Sequence, residues 1–107
     1  MPDKQIINAV KSYLRELMRI GVPIKKGILF GSYSSDKYHK WSDIDLIVIS
    51  DKYDKESTRE DINILWRTAA RIDNRIEPIP VGSNRWIKDD SSTIIEIARR
   101  EGIHINI

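Results

Sequence analysis

One stretch constrains this chain more than any other: Asp43-Ile44-Asp45-Leu46-Ile47-Val48-Ile49. It is rich in β-branched residues and is followed by the loop signal Ser50-Asp51-Lys52, which predicts a strand over 43–49. In a strand, side chains at i and i+2 face the same way. Asp43, Asp45, Ile47 and Ile49 therefore share one face, and Ile44, Leu46 and Val48 share the other. Beyond the two acids both faces are apolar, which suits a central strand covered on both sides.

The flanking sequence supplies the cover. Residues 3–20 carry Ile6, Val10, Tyr13, Leu14 and Leu17 at helical spacing, with Asp3 to cap the start and Gly21 and Pro23 to stop the helix. Residues 24–30 read as a short strand that ends at Gly31-Ser32, and 33–42 as a short helix or turn. A second long helix is predicted over 57–73. Ser57 and Glu60 have capping-box spacing, and Ile62, Leu65, Trp66, Ala69 and Ile72 form its buried stripe, with Trp66 in the core. Residues 76–81, Ile-Glu-Pro-Ile-Pro-Val, alternate like a strand, but two prolines confine it to an edge. A last helix fits 92–100, with Gly102 as its terminator. Ile103, Ile105 and Ile107 then alternate; they either close the sheet or join a second subunit. The order implies an α/β (α+β) sandwich, a small mixed sheet with helices.

The 107 residues fit one domain, 1–107, and no repeat or Pro/Gly/Ser-rich linker divides them. There is no cysteine, which excludes disulfides and thiolate-bound metals. A formal charge of +2 makes nucleic-acid binding through bulk charge unexpected. No apolar run approaches the ~20 residues of a membrane span, and the first residues lack a signal-peptide layout. A cytoplasmic protein is the expectation.

The two aspartates carry the chemistry. Their backbones stand roughly 7 Å apart on one face of the strand. Two ionised carboxylates on an apolar strand are costly and raise each other's pKa unless a cation lies between them. A hard divalent cation resolves this, and Mg²⁺ is the usual choice where phosphates are present. Gly31-Ser32 lies at the end of the first strand, whereas Asp43 and Asp45 lie at the beginning of the second. These points meet only if the two strands are antiparallel neighbours. Residues 51–75 contain a full helix, as a parallel crossover requires. The third strand then begins beside the second and brings Glu77 to the aspartates. A glycine at a strand end lets the backbone approach a ligand, and the following N–H groups with the Ser32 hydroxyl can cradle a phosphate. Three acids, a cation site and a phosphate nest together describe nucleotidyl transfer, with two metals about 4 Å apart able to serve the attacking and leaving oxygens.

Gly31-Ser32, ten intervening residues and Asp43-Ile44-Asp45 resemble the signature of the DNA polymerase β-like nucleotidyltransferase superfamily. The small size and the Trp41-Ser42-Asp43-Ile44-Asp45-Leu46 context are similar to the minimal nucleotidyltransferases, which commonly pair with HEPN-domain proteins in toxin–antitoxin modules. The resemblance is strongest over residues 28–50 and extends more loosely to Glu77. It implies a polymerase β-like core, with Asp43 and Asp45 as metal ligands and Ser32, beside Gly31, as a triphosphate contact. Glu77 becomes the third carboxylate, with general-base and metal-binding roles. It further implies one or two Mg²⁺, an NTP substrate (ATP first), transfer of AMP to a hydroxyl, and a HEPN-type partner protein as acceptor. Two positions depart from the family pattern. Asp36 stands where many members have a second glycine, and an acid there repels a triphosphate. Glu77 replaces the commoner aspartate and lengthens that arm by a methylene.

Other residues have two readings. Ser32 either touches phosphate or caps a short helix. Tyr33, Tyr38 and Trp41 either stack on a base or lid the core. His39 and His104 lack metal-ligand spacing and read as surface residues. Arg67, Arg71 and Arg75, four apart, form a solvated face paired with acids or a basic strip for a partner or polyphosphate. Trp86, in a loop between Arg85 and Lys88, is an interface anchor or a cover for the core's edge. A rival to the enzyme is a binding module that neutralises a partner by occlusion with vestigial acids. A weaker rival is a subunit acting on a small molecule, and a homo-oligomer is compatible with each.

Overall fold

A computed structural model describes residues 4–31 and 43–107. Chain order is α1 (Lys4–Arg19), β1 (Lys26–Phe30), β2 (Ile44–Ile49), a 3₁₀ turn (Asp51–Asp54), α2 (Arg59–Ile72), β3 (Ile76–Val81), α3 (Ser83–Lys88), α4 (Thr93–Glu101) and β4 (Ile103–Ile105). The strands form one mixed sheet in the order β3-β2-β1-β4. β2 is internal, antiparallel to β1 and parallel to β3, and β4 runs antiparallel to β1.

The alternation along β2 sorts the core into two halves. Ile44, Leu46 and Val48 pack with Leu14 and Leu17 of α1 and Leu65 and Ala69 of α2. Ile47 and Ile49 pack with Trp86 of α3 and Ile95 and Ala98 of α4. Helices thus cover both faces, as an apolar internal strand requires. The α1–α2 layer is tied by the buried Tyr13 hydroxyl, which donates to the Leu65 carbonyl at 2.9 Å. Burial raises the Tyr13 pKa, with the nearby Tyr53 a smaller cause. Gly21, at φ +102°, ends α1 in the left-handed conformation that glycine adopts at no steric cost.

The prolines of β3 stand where its position as an edge strand needs them. The amides of Ile44 and Ser50 donate to the carbonyls of Arg75 and Val81, so odd-numbered residues of β3 turn their backbone groups to β2. Pro78 and Pro80 lie at the alternate, outward positions, where a missing N–H breaks no ladder bond. The remaining outward amide, Ile76, donates to Asp73 O at 3.0 Å.

Several expectations need correction. Trp66 is not in the core: it is 47% exposed, and Ile62 and Ile72 are 38% exposed each. The buried stripe of α2 is Leu65, Thr68 and Ala69. Its cap is one residue later than Ser57, with Thr58 and Asp61 closing a reciprocal capping box. Trp86 lies on the six-residue α3 rather than in a loop. It is buried, so it covers the core's edge. Arg67 and Arg71 pair with Glu60 and Glu16, but Arg75 lies beyond α2 and forks onto Asp73. Ile103 and Ile105 close the sheet against β1, and Ile107 lies outside β4 at 42% exposure. His104 is on the surface, as expected. The readings of Asp3, Tyr33, Asp36, Tyr38, His39 and Trp41 lie outside the described residues.

Candidate active site

The sheet register brings the acids together. Phe30, the last residue of β1, pairs with Asp45. Glu77 pairs with Asp45 from the other side, across the parallel β2–β3 ladder. Paired residues share a face, so Glu77 and Asp45 project on the α3–α4 side of the sheet. Asp43 precedes β2 by one residue and is exposed, while Asp45 and Glu77 are partly buried. The antiparallel β1–β2 pair and the crossover through α2 are the two topological features that the sequence argument required.

Gly31 closes the site on the β1 side. Its φ is +76°, and a Cβ built there would lie 2.4 Å from Asp45 Oδ2. No other residue type leaves that space for the carboxylate.

The electrostatics record the crowding. Burial is the main cause raising the Asp45 pKa; Asp43 adds to it, and a hydrogen bond with Glu77 opposes it. The Glu77 pKa is also raised, first by burial, then by the charges of Asp43 and Asp45, and then by hydrogen bonds with both. Asp45 and Glu77 therefore both hold a proton more tightly than an ordinary carboxyl, with the charge of Asp43 contributing to each. A divalent cation is the alternative way to relieve such repulsion.

The donor set fits Mg²⁺ in kind, being oxygen throughout, and Mg²⁺ commonly takes one or two carboxylates and completes its shell with water and phosphate. It is not a finished cage. Among the described residues, no group of three or more His, Asp or Glu side chains is arranged to hold a metal ion. Of the residues singled out from sequence, Gly31, Asp43, Asp45 and Glu77 converge at one end of the sheet. Ser32 lies outside the described residues. Phe30 is assigned no role of its own in the sequence, yet it flanks Asp45 on β1. Its place immediately before Gly31 on a predicted strand was the available signal.

The nucleotidyltransferase domain family matches residues 5–98. The chain belongs to that family. Nucleotidyl transfer is thus the activity to which this geometry answers. Two solved structures share the nucleotidyltransferase fold seen here. One is a candidate nucleotidyltransferase from Sulfolobus solfataricus, 15% identical, with a TM-score of 0.64 over 94% of this chain and 78% of that one. The other is a toxin–antitoxin structure with AMP-PNP, 22% identical, with a TM-score of 0.62 over 92% of this chain and 71% of that one. No curated protein matches this nucleotidyltransferase. None of its helices, among the described residues, is long and apolar enough to cross a membrane.

Proposed function

We propose that this chain is a Mg²⁺-dependent nucleotidyltransferase that moves AMP from ATP to a hydroxyl on a partner protein, of HEPN type, within a toxin–antitoxin pair. The observation that carries the proposal is the Asp45–Glu77 register pair, with Asp43 two residues before it and Gly31 against it. AMP-PNP is an ATP analogue, and its presence in the toxin–antitoxin structure supports ATP as substrate and a partner protein.

In this reading Asp43, Asp45 and Glu77 hold Mg²⁺, and Gly31 and Ser32 contact the triphosphate. When bound there, the cation would neutralise phosphate charge and lower the pKa of the attacking hydroxyl. The acceptor oxygen attacks the α-phosphorus, a new P–O bond forms, and the bond to pyrophosphate breaks. The hydroxyl proton passes to a carboxylate. Glu77, paired in register with Asp45 across the β2–β3 ladder, is the carboxylate placed to take that role. The left-handed turn at Gly31 keeps the Asp45 carboxylate free of a side-chain obstacle.

A second reading, partner neutralisation by occlusion, draws support from the absence of a finished three-acid metal arrangement among the described residues. Labelled ATP separates the two. Covalent label on the co-purified partner, dependent on Mg²⁺ and abolished by Asp43→Asn or Asp45→Asn, is the expected result. Neutralisation that persists in both variants without any label refutes the enzymatic reading.

A further inference from the structure

Arg75 stands at the acidic end of the sheet. Ile44 pairs with Ile76, and Asp45 with Glu77, across the parallel β2–β3 ladder. One step earlier the same register sets Asp43 opposite Arg75, and there the Ile44 amide donates to the Arg75 carbonyl at 2.8 Å. Alternation puts residues 75 and 77 on one face, and neighbouring strands lie about 4.8 Å apart. An arginine side chain is long enough to reach either carboxylate from this position.

Asp73 holds that guanidinium. Its Oδ1 accepts from the Arg75 backbone amide and from Nε, each at 3.0 Å, and its Oδ2 accepts from Nη2 at 2.6 Å. The pair is sheltered on the Asp73 side, where 14% of the side chain is exposed against 32% for Arg75. The hydrogen bond from Arg75 is the largest cause holding the Asp73 carboxyl below the ordinary carboxylate range. A two-pronged, charge-assisted fork is stronger and more exacting in geometry than a single ion pair. The Asp73 carbonyl also accepts from the Ile76 amide at 3.0 Å, which fixes the turn into β3. Asp45 and Glu77 are meanwhile crowded by negative charge, with Asp43 acting on both. Carboxylates so crowded attract any cation within reach.

We propose that Asp73 is a positioning residue: it withholds the Arg75 guanidinium from Asp43 and Glu77 and so keeps their oxygens for a divalent cation. This role deepens the functional reading and rests on its assignment of Asp43, Asp45 and Glu77 to Mg²⁺. Without the Asp73 carboxylate, Arg75 becomes a tethered competitor. Its attachment beside the acids gives it a high effective concentration there, and its planar fork matches a carboxylate better than a lysine does. A guanidinium seated on those oxygens satisfies their charge but leaves them unable to ligate a metal. Asp73 thus acts on the site through Arg75, without belonging to the metal's own ligands.

The test is a titration of the full chain with Mn²⁺, standing in for Mg²⁺ and followed by electron paramagnetic resonance. The parent should bind Mn²⁺, and Asp45→Asn should remove that binding. Asp73→Asn should weaken Mn²⁺ binding about tenfold or more. Its amide oxygen can still accept from the Arg75 backbone amide, so the turn is kept, and circular dichroism melts without metal should show a folded chain. Asp73→Asn combined with Arg75→Gln should bind Mn²⁺ like the parent, because the competitor is gone. Simple displacement of β3 by the first change would not be repaired by the second. Arg75→Gln alone should leave Mn²⁺ affinity unchanged. Unaltered affinity in Asp73→Asn, or no recovery in the double variant, overturns the role of Asp73 and leaves the metal assignment standing. A parent that binds no Mn²⁺ overturns the metal assignment itself, and the role of Asp73 with it.

Discussion

Replacing Gly31 by alanine tests the physical link between the backbone and the acids. Two effects add. The residue sits at φ +76°, where a side chain costs about 1–2 kcal/mol. The new Cβ would also lie 2.4 Å from Asp45 Oδ2 and 3.3 Å from its Cγ. The carboxylate must then leave its rotamer, at about 0.5–1.5 kcal/mol. The sum is a destabilisation of roughly 1.5–3.5 kcal/mol, and each kcal/mol lowers Tm by about 4–8 °C in a domain of this size. Asp45→Ala removes the clashing atoms and leaves the Asp45 Cβ, at 3.5 Å, in ordinary contact. In that background only the backbone effect remains, so Gly31→Ala should cost about 1–2 kcal/mol and the double-mutant cycle should show coupling of about 0.5–1.5 kcal/mol. Thermal melts of the four proteins measure this directly. Additive single effects, or a Gly31→Ala protein with unchanged Tm, would refute the claim that this glycine exists to admit the carboxylate.

Three further outcomes follow from the same contacts. Asp45 and Glu77 have raised pKa values in the folded chain, so their contribution is most favourable below their ordinary values of 3.8 and 4.5 and is lost as pH rises through the folded values. Asp45→Asn and Glu77→Gln should therefore raise Tm at pH 7 in chelator-treated protein, and the gain should vanish near pH 4; a gain that grows toward acid would contradict the coupling. The two described tryptophans should behave oppositely. Trp86→Ala, at a buried site, should lose about 3–5 kcal/mol in a urea titration, whereas Trp66→Ala should stay within about 0.5 kcal/mol of the parent. Tyr13→Phe removes the buried bond to Leu65 O and should cost about 1 kcal/mol, read as a lower urea midpoint.

Much of the site was legible because β2 fixes it. The period-2 pattern of residues 43–49 predicted a covered internal strand, and the need for Gly31 to meet the aspartates predicted the antiparallel β1–β2 pair. The helix between residues 51 and 75 predicted the parallel β2–β3 pair that carries Glu77. What escaped the sequence has specific causes. Ser57-x-x-Glu60 and Thr58-x-x-Asp61 are overlapping capping signals one residue apart, and only the packing of Leu65 and Ala69 selects the second. The same helix holds two apolar stripes, and burying Thr68 in place of Trp66 is a tertiary choice that hydrophobicity alone ranks the wrong way. Helix α3 spans six residues and has no side-chain cap, too short for a periodic signal to emerge.

The two prolines of β3 also limit how this molecule can associate. Open-ended fibre growth by strand addition needs a competent boundary on both sides of every sheet. Here one boundary has no amide to offer at Pro78 or Pro80, and its remaining amide is engaged. A second molecule joining along β4 would present the same mute boundary outward, so assembly by that route stops at two copies.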